Sequence, residues 1–119
     1  MDIEETMKAI RANCKRLGWD ARVPSYNPAM FSEKMLLVVS EISEALEEFR
    51  NHRGLNEVYF THDPTNRLAK PEGIPIELAD VIIRIFDFCE ANDIDIVSAL
   101  EAKMRFNELR PFRHGNKLA

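Results

Sequence analysis

Two stretches of this chain are apolar almost all the way round a helical wheel, and each carries acidic residues three positions apart. In the first, Met35-Leu36-Leu37-Val38-Val39 runs into Ser40-Glu41-Ile42-Ser43-Glu44-Ala45-Leu46-Glu47-Glu48. In the second, Glu77-Leu78-Ala79-Asp80 leads into Val81-Ile82-Ile83-Arg84-Ile85-Phe86. Residues three or four apart share a helical face. Glu41, Glu44 and Glu48 therefore form one acidic stripe, and Glu77 and Asp80 another, with Asp87 two turns further along the same side. A helix apolar on most of its circumference is buried on more than one side. Carboxylates set beside such surface repel one another and are costly to desolvate. A solvated acidic face is the ordinary explanation for one ExxE. Two such pairs, each embedded in apolar helix, call for a common one, and a divalent cation held between the helices supplies it. Magnesium takes hard oxygen ligands, keeps some water and shares its shell with substrate phosphates; manganese is the natural substitute.

The remaining pattern is helical as well. Ile3, Met7, Ile10, Cys14 and Leu17 make one apolar stripe, predicting a helix from about Ile3 to Leu17 that stops at Gly18. Asn27-Pro28 is a cap followed by proline at the first helical position, opening a helix to about Asn51. Val81-Ile82-Ile83-Arg84-Ile85 alone reads as a strand, but about 15 residues without a turn favour a helix from Pro75 to Ala91. A fourth helix runs from about Asp95 to Leu109, capped by Asp93 or Asp95 and ended by Pro111. Pro and Gly cluster at 24–28, 54–75 and 111–115. Residues 52–74 form a long connection in which Val58-Tyr59-Phe60 is a short strand or a flap, and loops of this length are often functional. The expected fold is all-α, a four-helix bundle-like single domain spanning 1–119. Two helices apolar nearly all round are too much for one such chain to bury, so a homodimer or larger assembly is expected.

The chain is 45% hydrophobic and 30% charged, an ordinary globular balance. Its net charge of −4 argues against a nucleic-acid polymer as partner. No apolar run is long enough to span a membrane, and the acidic start is not expected to be a secretory signal. Cys14 and Cys89 form no CxxC pair and fit reduced thiols of a cytoplasmic protein. No ExxH, EF-hand loop, Walker loop or GxGxxG occurs. Cations suited to a polyphosphate are present: Lys34 two turns before Glu41, Arg84 one turn after Asp80, and Lys103, Asn107 and Arg110 at i, i+4, i+7. Arg113 and Lys117 extend a basic tail over 111–119. Trp19, Tyr59 and Phe60 could stack on a base, although packing is the commoner use of such residues.

Glu41-x-x-Glu44 followed by Glu77-x-x-Asp80 resembles the MazG-type family of all-alpha nucleoside triphosphate pyrophosphohydrolases. So does the surrounding Lys70-Pro71-Glu72-Gly73-Ile74-Pro75-Ile76-Glu77, and so does the tail from Lys103-Met104-Arg105-Phe106-Asn107 to Arg113-His114-Gly115-Asn116-Lys117. The resemblance covers the chain from about Lys34 onward. It implies a helical bundle working with magnesium as a homodimer or homotetramer. It also implies that Glu41, Glu44, Glu77 and Asp80 match the metal ligands, and that Lys103, Asn107 and Arg110 match positions contacting the nucleotide. The implied reaction is hydrolysis of a nucleoside triphosphate to monophosphate and pyrophosphate, by water attack at the α-phosphorus. Glu44 or Glu48 is the candidate for orienting or deprotonating that water, and Lys34, Arg84, Lys103 and Arg110 are candidates for the phosphates. The chain departs from the family pattern twice. Ser40 stands where the first of two adjacent acids is usual, with Glu48 one turn past Glu44 as a substitute. The Glu44–Glu77 gap is longer than usual, which makes 52–74 a candidate lid. Related folds hydrolyse dUTP, dCTP, modified nucleotides or phosphoribosyl-ATP. The rival from another class is a non-catalytic helical interaction module.

Overall fold

The computed structural model describes residues 1–23, 27–65 and 68–111. It contains four helices, α1 (Ile3–Arg16), α2 (Pro28–Arg50), α3 (Ile74–Ala91) and α4 (Ile96–Leu109), with a hairpin of β1 (Tyr59–His62) and β2 (Ala69–Glu72) between α2 and α3. The helix boundaries follow local chemistry. Asp2, Asn27 and Asp95 each accept a backbone N–H three residues on, at 3.1, 3.1 and 3.0 Å, which satisfies donors that a helix start leaves unpaired. Of the two candidate caps for α4, Asp95 is the one used. Asp93 instead ends α3, in a left-handed conformation (φ 56°) that lets Ile94 N–H reach back to the Cys89 carbonyl. Gly18 and His52 close α1 and α2 in the same way, Gly18 at φ 89° and His52 at φ 64°.

The loop between α2 and α3 has more structure than its length suggests. Tyr59 pairs with Glu72 and His62 with Ala69 in antiparallel register, so the strand expected near 58–60 has a partner that Pro71 concealed. Proline cannot donate to a ladder and is tolerated only where its missing N–H faces outward. Gly73 then leads into α3 at φ 124°, where a Cβ would run into the Glu57 carbonyl. The start of α3 is therefore locked against the loop, one residue earlier than the sequence suggests.

Helix α3 is the centre of the packing, with α2 on one side and α1 on the other. Met7 and Cys14 of α1, Ala45 of α2 and Ile74, Phe88 and Cys89 of α3 are buried, and Phe31 meets Phe88 edge-on at 5.9 Å. Asn92 pins the segment after α1 to the end of α3: it donates to the Ala21 carbonyl at 3.0 Å and accepts from Val23 N–H at 2.7 Å. Leu17 and Ile3, expected on the buried stripe of α1, are exposed. Helix α4 does not complete a four-helix bundle within the chain. None of its residues is buried and it packs on no other element to a substantial extent.

Helix α2 is inverted for a surface helix. Toward α3 it turns Glu41 and Ala45, its only buried residues, with Lys34 and Glu48 half-buried. Leu36, Val39, Ile42, Leu46 and Phe49, spaced by three and four along one side, are between 50% and 64% exposed. Leu78 and Ile82 of α3 and Met104 and Leu109 of α4 are exposed too.

Candidate metal centre

The acids meet where α2 and α3 face each other. One carboxylate oxygen from each of Glu41, Glu77 and Asp80 lies within 4.8 Å of the others. Helical spacing explains the convergence: Glu41 occupies the α3-facing line of α2, and Glu77 and Asp80 lie one turn apart on the facing side of α3. Glu41 is 8% exposed and is buried although it carries a charge. Glu44 is exposed and lies outside this triad, but its carboxyl is near enough to that of Glu77 to help raise it.

The electrostatics carry the cost of the arrangement. Burial, then the neighbouring Glu44 carboxyl, then the charges of Asp80 and Glu41 push the Glu77 carboxyl from its ordinary 4.5 up to about 7. Its Oε2 is buried without a hydrogen-bond partner. Burial and the Glu41 charge also raise Asp80, against the pull of Arg84 and, more weakly, Lys70. An orphaned carboxylate oxygen beside two further carboxylates fits a hard cation. Around an octahedral magnesium, opposite oxygens stand about 4.2 Å apart and adjacent ones about 3.0 Å, so the three carboxylates have to draw together to share one ion.

Arg84 donates from Nε to Glu41 Oε1 at 2.8 Å, an ion pair whose carboxylate side chain is 10% and whose arginine is 35% exposed. Beside the triad lie two cavities that share Trp19, Arg84 and Asp87. The smaller, of about 150 Å³, is lined by Glu41 and Asp80 as well. The larger, of about 440 Å³, opens toward Lys34, Leu37 and Phe88, with Trp19 and Ala21 on its wall. Asp87 is buried and faces Arg11 at 3.5 Å, while the same guanidinium holds Asp20 at 3.1 Å. Burial raises Asp87, and the Arg11 charge opposes the rise. Arg11 went unnoticed in the sequence, although a charged residue at i+4 from Met7 on a buried helix face was its signal.

The other expected residues are distributed as follows. Lys34 lines the larger cavity. Glu48 is occupied elsewhere: the Tyr59 hydroxyl lies 2.8 and 2.9 Å from its two oxygens, and the Arg53 guanidinium covers the Tyr59 ring at 3.7 Å. Glu48 thus anchors the hairpin to α2. Lys103, Asn107 and Arg110 lie on or just past α4 and line neither cavity, and the two cations gather over the Phe106 ring. Arg113, His114 and Lys117 of the tail lie outside the described residues. Trp19 and Phe60 are exposed at 62% and 60% rather than packed in a core. Among the described residues no helix is long and apolar enough to cross a membrane.

Comparison with known protein families, curated proteins and solved structures finds no match to this chain.

Proposed function

We propose that this chain is a magnesium-dependent nucleoside triphosphate pyrophosphohydrolase of the MazG-like kind, converting a nucleoside triphosphate and water to a nucleoside monophosphate and pyrophosphate. The observation that carries the proposal is the Glu41–Glu77–Asp80 cluster between α2 and α3, with a buried, unpartnered Glu77 oxygen. Glu41, Glu77 and Asp80 would hold the magnesium, which would supply charge stabilisation to the phosphates and lower the pKa of water. Glu44 stands beside Glu77 on the solvent side, where it can orient the attacking water. Because Tyr59 occupies Glu48, Glu44 is the better candidate for that role. Lys34 and Arg84 line the adjoining cavity and suit the phosphates, and Trp19 offers a flat apolar wall for a base.

The second copy required by this reading is supported by the exposed stripe Leu36–Val39–Ile42–Leu46–Phe49 and by α4, a helix without a buried residue. A homodimer or homotetramer that covers both would also decide whether Lys103, Asn107 and Arg110 approach a neighbouring acidic cluster. Cytoplasmic placement is part of the proposal and agrees with two free, buried thiols.

The test is a panel of ordinary and modified nucleoside triphosphates, dUTP, dCTP and phosphoribosyl-ATP included, with magnesium and product analysis. Monophosphate and pyrophosphate are expected, with loss of at least about 1000-fold in Glu41→Ala and Asp80→Ala variants that remain helical. Wild-type rates in those variants refute the metal assignment. The exposed apolar faces equally suit a non-catalytic interaction module. For that alternative, melting is unchanged by magnesium, alone or with a non-hydrolysable nucleotide, whereas a metal site stabilises the fold by mass action.

A further inference from the structure

We propose that Arg84 is the resident counter-ion of the carboxylate cluster, and that it leaves Glu41 for the adjoining cavity as the site fills. Metal and triphosphate binding are thereby coupled through one side chain. The inference rests on the metal-centre reading above and adds a positioning residue to it. Three observations support it. Arg84 Nε is 2.8 Å from Glu41 Oε1, so the guanidinium neutralises one of the three clustered acids. Arg84 lines both the cavity that reaches Glu41 and Asp80 and the one that opens to Lys34 and Trp19, so it stands at their junction. Its side chain is 35% exposed where that of Glu41 is 10%, so the arginine is the partner with room to turn.

The physical reason is competition for one carboxylate. A guanidinium beside the cluster stabilises the carboxylates in the absence of metal and repels a divalent cation at the same position. Once turned into the cavity, the same planar fork faces triphosphate oxygens, for which it is better suited than a lysine. A merely structural clamp predicts the opposite result, because removing it would disorder Glu41 and weaken the metal.

The experiment measures Mn2+ binding by electron paramagnetic resonance for the wild type, Arg84→Gln and Arg84→Lys, with and without α,β-imido-dUTP. Arg84→Gln is expected to bind Mn2+ about tenfold more tightly than wild type without nucleotide, the scale on which groups bordering a metal move its affinity. The tightening of Mn2+ by the analogue then shrinks by a similar factor, because no guanidinium is left for the analogue to draw off Glu41, and Mn2+ tightens the analogue by the same reduced factor. Arg84→Lys, which keeps the charge, stays within about threefold of wild type. Equal or weaker Mn2+ binding in Arg84→Gln overturns the inference. Absence of Mn2+ binding in the wild type overturns the metal reading itself. An independent readout needs no variant: the Arg84 Nε–H resonance of the wild type should shift when Mg2+ is added and again with the analogue. An unmoved resonance in a protein that binds Mg2+ also refutes the proposal.

Discussion

Replacing Glu77 by glutamine should make the metal-free protein more stable at pH 8, and by much less at pH 5. The carboxyl of Glu77 is pushed from 4.5 to about 7 by burial and by its acidic neighbours. A folded-state value above the unfolded one means that the folded chain holds its proton longer. The stabilisation is complete below 4.5 and is lost as pH rises through 7, where the chain must carry another negative charge beside Asp80 and Glu41. At about 1.4 kcal/mol per tenfold the full rise would correspond to roughly 3 kcal/mol. Glu77 is only half-buried and water screens part of this, so on the order of 1 kcal/mol is the realistic effect. Glutamine has nearly the same shape and never ionises. Thermal melts in EDTA at pH 5, 6, 7 and 8 should therefore show the variant gaining a few degrees over wild type by pH 8, with the gap closing below pH 5. Magnesium should reverse the ranking at pH 8, because the wild type then has a ligand that the variant lacks. A variant less stable than wild type at pH 8 without metal, or a gap that does not change with pH, would show that the cluster is not electrostatically loaded.

Leu46→Asp, in the middle of the exposed stripe of α2, should convert an oligomer to a monomer in sedimentation without loss of helix content, since a buried charge opposes association; an unchanged sedimentation coefficient places the interface elsewhere. Tyr59→Phe removes the hydroxyl held by Glu48 and should lower the urea midpoint of unfolding while leaving the Mn2+ affinity unchanged. Altered Mn2+ affinity would tie Glu48 to the metal after all. His52→Gly relieves a left-handed residue at the end of α2 and should raise stability by about 1 kcal/mol, read from the urea midpoint.

Much of the secondary structure was legible along the chain because its causes are local. Asn27-Pro28 opens α2, Gly18 closes α1, Asp95 opens α4, and a stripe at steps of three and four marks α1. The acidic pairs were legible for the same reason, since ExxE and ExxD need only helical spacing to share a face. Their convergence, the Arg84–Glu41 pair, the Arg11 bridge to Asp87 and the Tyr59 hold on Glu48 depend on which faces of separate helices meet. The period gives the direction of a stripe and not its partner. The burial of Glu41 beside an exposed Leu46 is the sharpest case: by composition alone α2 should turn its leucines inward. In this chain the packing turns Glu41 inward, where Arg84 of α3 offsets its charge at 2.8 Å, while Leu36, Val39, Ile42, Leu46 and Phe49 stay open to solvent.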